Sequence, residues 1–224
     1  MNIMKVMEER HAVRKYQDLP ISDRDVALLK EEIAACNKES GLHIQLILNE
    51  PKAFDPKYGH FEGATNYIAL IGKKGPGLDE KCGYYGEKIV LYAQSIGLNT
   101  CFVGGTYTKV DNVLEINKDE KLVCMITVGY GVDHGQPHAL KDVSKFSNED
   151  PNSPEWFKLG LQGVRLAPSA YNEQKWHFYY DEENGVGRVD ARVGGTGEFA
   201  EIDLGIAKYN FEQASGKDSS IWIK

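Results

Sequence analysis

Two short segments concentrate the side chains able to do chemistry. Arg10-His11-Ala12-Val13-Arg14 sets three groups able to carry positive charge at or just past a helix end. Arginine's planar fork meets phosphate oxygens with paired, charge-assisted hydrogen bonds, so this run suits a dianionic phosphate. The second segment, residues 167–178, reads Ala-Pro-Ser-Ala-Tyr-Asn-Glu-Gln-Lys-Trp-His-Phe. Pro168 stops the helix before it, and small Ser169 and Ala170 let the backbone approach a flat ring closely. Asn172 can both donate and accept, matching the edge of a ring with alternating donors and acceptors. Each segment alone also has a plain reading: a solvated basic face, and an ordinary helix-to-strand connection with an Asn turn. Their conjunction in one chain favours a ligand.

The rest of the composition narrows the field. With 224 residues, 42% hydrophobic and 26% charged, the chain is globular and needs no disulfide staples. At that length roughly 72% of the unfolded surface can be buried on folding. A net charge of −7 argues against nucleic acid or an anionic membrane as partner. The longest apolar runs, such as 67–71, are about a quarter of a membrane span, and the first twenty residues hold no signal-peptide core. Cys36, Cys82, Cys101 and Cys124 show neither C-x-x-C nor zinc-finger spacing, and three of them lie in apolar runs. That pattern fits a reducing, cytoplasmic setting. The six histidines form no ligand cluster, and both common glycine phosphate loops are missing.

Elements must carry the two segments. Ile3, Val6 and Met7 predict a short opening helix. Ser22 with Asp25 reads as an N-cap box, followed by an amphipathic helix of about 13 residues through Val26, Leu29, Ile33 and Cys36. Strands are expected at 43–48, 67–71, 100–103, 122–129, 176–180 and 221–223, and helices at 86–96, 156–166 and 202–214. Residues 133–154 are polar and punctuated, as a linker or crossing arm would be. Helices alternating with short strands predict an α+β fold with helices packed on a mixed sheet. Two parts are expected, 1–150 and 151–224, forming one compact unit. Gly86 and Gly97 bracket one helix and Gly205 and Gly216 another at the same step, which suggests internal duplication.

Together the two segments resemble the nitroreductase family of FMN-dependent oxidoreductases. Its Arg-x-x-x-Arg/Lys phosphate motif is matched by Arg10, His11 and Arg14. Its Pro-Ser-x-x-Asn-x-Gln-Pro-Trp motif is matched at Pro168, Ser169, Asn172, Gln174 and Trp176. The helix, glycine and strand ending in Gly-Gly is similar to 89–105, and the glycine turn with its basic arm to 129–141. The order departs from typical members, where the second motif follows the arginines by about thirty residues. Here 35–40 lacks the Pro-Ser, so the chain resembles the compact branch in which one polypeptide mimics the usual dimer.

The resemblance implies one FMN per chain in a cleft between the halves, with the monomer plausible as a pseudo-dimer and a homodimer also open. Arg10, His11 and Arg14 would hold the phosphate and ribityl end, with His138 and Lys141 closing over it. Pro168, Ser169, Ala170 and Asn172 would line the ring. Val103, Gly104 and Gly105 would lie near its reactive nitrogen. Ala12, Ala170 and Lys175 depart from the usual serines and proline. The implied activity is ping-pong transfer of reducing equivalents from NADH or NADPH to a small aromatic or quinone-like acceptor. No side chain is assigned a catalytic role, because such a cofactor carries the chemistry. Tyr58, His60, Phe61 and Tyr107 are candidates to shape the acceptor pocket or to pack. A flavin-binding protein with a storage, sensing or regulatory role is the alternative.

Overall fold

The computed structural model describes residues 2–54, 61–183 and 185–223. Its elements in chain order are α1 (Ile3–Glu9), α2 (Asp23–Ser40), β1 (Gln45–Ile47), β2 (Tyr67–Lys73), α3 (Leu78–Ser95), β3 (Asn99–Val103), β4 (Glu120–Gly129), α4 (Glu155–Leu166), β5 (Trp176–Glu183), β6 (Val186–Val193) and α5 (Ala200–Ser215). The chain divides into two compact units that interleave along the sequence. The first takes the segment up to Glu8, Asp79–Glu87 and everything from His138 onward; the second takes Glu9–Leu78 and Lys88–Pro137.

The second unit is built on a four-stranded antiparallel sheet in the order β1-β2-β4-β3. Tyr67 to Ile71 of β2 are buried without a break, the pattern of a strand covered on both faces. Ile89, Val90 and Leu91 of α3 are likewise buried. Helix α2 starts as expected: Ser22 Oγ accepts a hydrogen bond from Asp25 N at 3.1 Å. It runs longer than its apolar face predicts, to Ser40, and Gly41 closes it in the left-handed conformation with φ 70°. Residues 35–40 are therefore helical in this half, with Asn37 bonded through both amide atoms to the Ile44 backbone.

β3 is an edge strand, and its free side is not left open. Ala12 forms a parallel bridge to Thr100, and Val13 N donates to Thr100 O at 3.0 Å. That bridge gives the otherwise antiparallel sheet its mixed character. Tyr16 then pairs with Gly131, its N–H donates to Glu62 O at 2.8 Å, and its buried hydroxyl meets Thr127 Oγ1 at 2.7 Å.

The first unit packs α4 and α5 over the antiparallel hairpin β5-β6. An aromatic core holds it together: Phe157, Phe178 and Phe211 are fully buried, and the Phe178 and Phe211 rings stack at 5.6 Å. Each such side chain contributes about 2 to 3 kcal/mol by leaving water.

Two expectations need correction, and one strand was missed. Gly86 and Gly205 do not open their helices; they lie inside α3 and α5, which begin at Leu78 and Ala200. Those glycines therefore carry no evidence of duplication. Residues 221–223 are not a strand: Asp218 caps a 3-10 turn, Ser219–Ile221, by accepting from Ser220 N, and Trp222 makes a single bridge to Val189. β6 was not anticipated, because only Val189 of its eight residues is fully buried and no alternation marks it.

Candidate functional site

The arginine segment lies along the edge of β3, with Arg10 and Val13 buried, His11 and Ala12 half-buried and Arg14 exposed. Arg10 is only 4% exposed. Arg14 is exposed, and its guanidinium makes no ion pair among the described residues. Both cations act on Cys101 in β3: burial pushes its thiol up, and Arg14 and Arg10 pull it back. His11 is half-buried and donates from Nδ1 to His134 O at 3.0 Å. Its Nε2 thereby remains for another partner. Gly135, at φ 70°, passes so close to His11 and Ala12 that a β-carbon would meet the His11 β-carbon at 2.8 Å.

β3 ends at buried Val103, and Gly104 and Gly105 follow with increasing exposure. A β-carbon on Gly105 would meet nothing within 4 Å, so the chain leaves open space there. Phe61 is buried in the core with Phe54 and Tyr67, and Tyr107 packs against the same cluster. Both therefore serve packing in the second unit. Tyr58 and His60 lie outside the described residues.

The Pro-Ser bend belongs to the first unit. Ala167 ends α4 in extended conformation, Pro168 follows, and a 3-10 turn spans Ala170–Asn172. Tyr171, Asn172 and Gln174 all have positive φ, at 53°, 54° and 49°. Non-glycine residues pay strain there, so the bend must be held by its surroundings. Ser169 Oγ accepts from Gln174 N at 3.0 Å, and Ser169 O accepts from Asn172 N at 3.0 Å. Asn172 Nδ2 donates to Ala139 O at 3.0 Å, and its Oδ1 accepts from Gln174 Nε2 at 2.9 Å. One N–H and one lone pair of this half-buried amide are left for a ring.

Lys141 and His138 bond to the backbone within the first unit. Lys141 Nζ donates to Glu173 O at 2.9 Å and to Gln174 O at 2.6 Å, while its own N–H donates to Gln174 Oε1. His138 Nε2 donates to Arg165 O at 3.0 Å, and Arg165 Nε donates to Lys141 O at 3.1 Å. The polar arm after residue 137 is thus stitched to the bend, and the lysine's charge is spent on carbonyls. Lys175 pairs with Glu173 Oε2 at 2.8 Å and donates to Thr196 O at 3.1 Å.

Asp203 was not anticipated. It sits in the first turn of α5, 5% exposed, and both its carboxyl oxygens accept from Ala170 N at 3.1 Å. Burial pushes its carboxyl up to about 7, against the pull of the Ala170 N–H and with a further push from Glu173. It lines a cleft of about 310 Å³, counting its open mouth, with Ala170, Glu173, Lys175 and Phe199. The available signal was a lone acid inside the apolar run Ile202-Asp203-Leu204-Gly205-Ile206.

Each unit has its own donors: Arg14, exposed and without an ion pair among the described residues, suits a phosphate in the second unit, and the small-residue bend with its spare Asn172 N–H suits a flat ring in the first. No group of His, Cys, Asp or Glu among the described residues could hold a metal ion.

The fold and these motifs define an α+β protein of nitroreductase type. The chain belongs to the family whose model is described as "Putative TM nitroreductase", which matches residues 2–215. A nitroreductase structure from Thermotoga maritima, itself described as putative, is 22% identical with a TM-score of 0.67, covering 96% of this chain and 83% of that one. A second, from Desulfovibrio desulfuricans and described as a complex with FMN, is 15% identical with a TM-score of 0.54, covering 68% of this chain and 99% of that one. A third, from Parabacteroides distasonis and described as a "Putative NADH dehydrogenase/NAD(P)H nitroreductase", is 18% identical with a TM-score of 0.53, covering 68% of this chain and 99% of that one. No curated protein matches by sequence.

Proposed function

We propose that the protein is an FMN-dependent oxidoreductase that uses NADH or NADPH to reduce a small aromatic or quinone-like acceptor. Family membership supports the class, and the FMN and NAD(P)H in the neighbours' descriptions support the cofactor and donor. The observation that carries the reading is Arg14, exposed and without an ion pair among the described residues, on the segment that covers the edge of β3, the strand that runs on into Gly104 and Gly105.

On this reading Arg14 binds the phosphate, His11 joins it when Nε2 carries a proton as well as Nδ1, and buried Arg10 adds positive potential. Gly105 leaves room for a ring and a substrate beside the end of β3. Within the first unit, Ser169 and Ala170 offer a surface without bulk and Asn172 a spare N–H, which suit a flat ring. When bound, FMN supplies the two-electron redox chemistry, with donor and acceptor visiting in turn in a ping-pong cycle. Lys141 and His138 hold the arm to the bend. The four buried thiols accord with a cytoplasmic setting.

The test is anaerobic addition of NADH or NADPH to the purified, flavin-loaded protein. Rapid bleaching of the flavin absorbance is expected. A yellow protein whose spectrum persists is a flavin binder without turnover, and a protein that stays colourless with added FMN overturns the cofactor reading.

A further inference from the structure

The bend that presents Asn172 is strained at three residues, and something outside it must set its position. Bonds from residues 139 and 141 fix one side, through Asn172, Gln174 and the Glu173 carbonyl. On the other side a polar side chain from α5 reaches it. Asp203, at the start of α5, receives the Ala170 N–H on both oxygens. Ala170 opens the 3-10 turn in which Tyr171 and Asn172 take their left-handed conformations. Glu173 N also donates back to Ala170 O at 3.1 Å, so a shift at Ala170 is passed across the whole turn.

We infer that Asp203 is a positioning residue: it anchors the Ala170–Asn172 turn to α5 and so sets the surface offered to the flavin ring. The inference rests on the FMN reading above for its functional half, while the anchoring itself concerns this chain alone. Three features make Asp203 suited to the task. It is buried, so water does not compete for the Ala170 N–H. It lies in the first turn of a 16-residue helix, where backbone N–H groups favour a carboxylate. Its own N–H donates to Phe199 O at 2.9 Å, which fixes the backbone from which the carboxyl projects. The charged groups lining the same cleft are Glu173 and Lys175 from the bend, paired with each other, and Glu198 from the loop before α5.

The experiment compares Asp203→Asn, which keeps an acceptor oxygen, with Asp203→Ala, which removes it. Amide exchange at Ala170–Asn172 reads the anchor, and FMN titration with the flavin's visible band reads its consequence. The alanine variant should exchange about tenfold faster at the turn, bind FMN about tenfold more weakly and shift the visible band. The asparagine variant should stay within about threefold of the parent on both counts. If Asp203→Ala does not fold, Asp203→Ser replaces it, since its hydroxyl is too short to reach Ala170 N. Unchanged exchange at the turn overturns the anchor. Faster exchange with unchanged FMN affinity and spectrum overturns the positioning role. Faster exchange in a protein whose parent form binds no FMN leaves the anchor standing and removes the flavin reading instead.

Discussion

Gly205 of α5 lies against the backbone carbonyl of Glu80 in α3 so tightly that a β-carbon there would overlap the oxygen. The approach is reciprocal, since a β-carbon on Gly83 of α3 would overlap the carbonyl of Ile202. The first half of α3 and the start of α5 therefore cross backbone to backbone, tied further by Lys208 to Glu80 at 2.7 Å. Gly205→Ala must push the helices apart, because backbone cannot rotate out of the way. A loss of about 3 kcal/mol is expected, measured by urea unfolding. Gly97→Ala, at a position with open space but φ 90°, should cost less, about 1 kcal/mol.

The two arginines should separate in their effects. Arg14→Ala is expected to lose most bound FMN while changing the melting temperature by no more than about 1 °C, as exposed substitutions do. Arg10→Ala should lower flavin content and stability together, since it empties a buried position. Flavin content per chain and thermal melting of the two single variants check this. Equal melting losses would sink the inside-outside distinction.

Lys141→Met should loosen the arm without touching the phosphate. It removes donation to two carbonyls, worth about 2 kcal/mol in all for bonds from a charged group in a half-buried setting. Limited proteolysis within residues 138–146 should quicken. If Lys141 met the phosphate instead, FMN affinity would fall far more than stability.

Two buried acids should bend the stability profile in opposite directions. Glu120 Oε2 accepts from Asn117 N, His43 Nδ1 and Asn117 Nδ2, which hold its carboxyl below the usual range. Its contribution is present above the ordinary glutamate value and is lost as pH falls. Asp203 is the reverse. Its folded value of about 7 lies above the unfolded one near 3.8, so the folded state keeps a proton that the unfolded chain gives up. Stability should fall by roughly 4 kcal/mol as pH rises from about 4 to 7 from this group alone. Unfolding of Asp203→Asn across that range should lack this slope, and Glu120→Gln should lack the acid-side loss.

The sequence made the α+β elements legible where burial is one-sided and caps are explicit. Ser22 with Asp25 marked the start of α2, and the apolar run at 67–71 marked β2. It misled where glycine serves packing: Gly205 looked like a helix start because its role, close approach to α3, depends on a contact 125 residues away. β6 lacked alternation, though the Asn184-Gly185 dipeptide was a hairpin signal at hand. Within the candidate site, residue types were readable but their partners were not. Nothing local shows that Lys141 is consumed by Glu173 and Gln174, or that Asp203 reaches back across 33 residues to Ala170.

The Ala12–Thr100 bridge has one more effect. A bare β3 margin would invite strands from other molecules, the usual route from an open ladder to aggregates. By lying along it, the same stretch that turns Arg14 outward acts as a gasket, so trimming it would make the protein sticky as well as colourless.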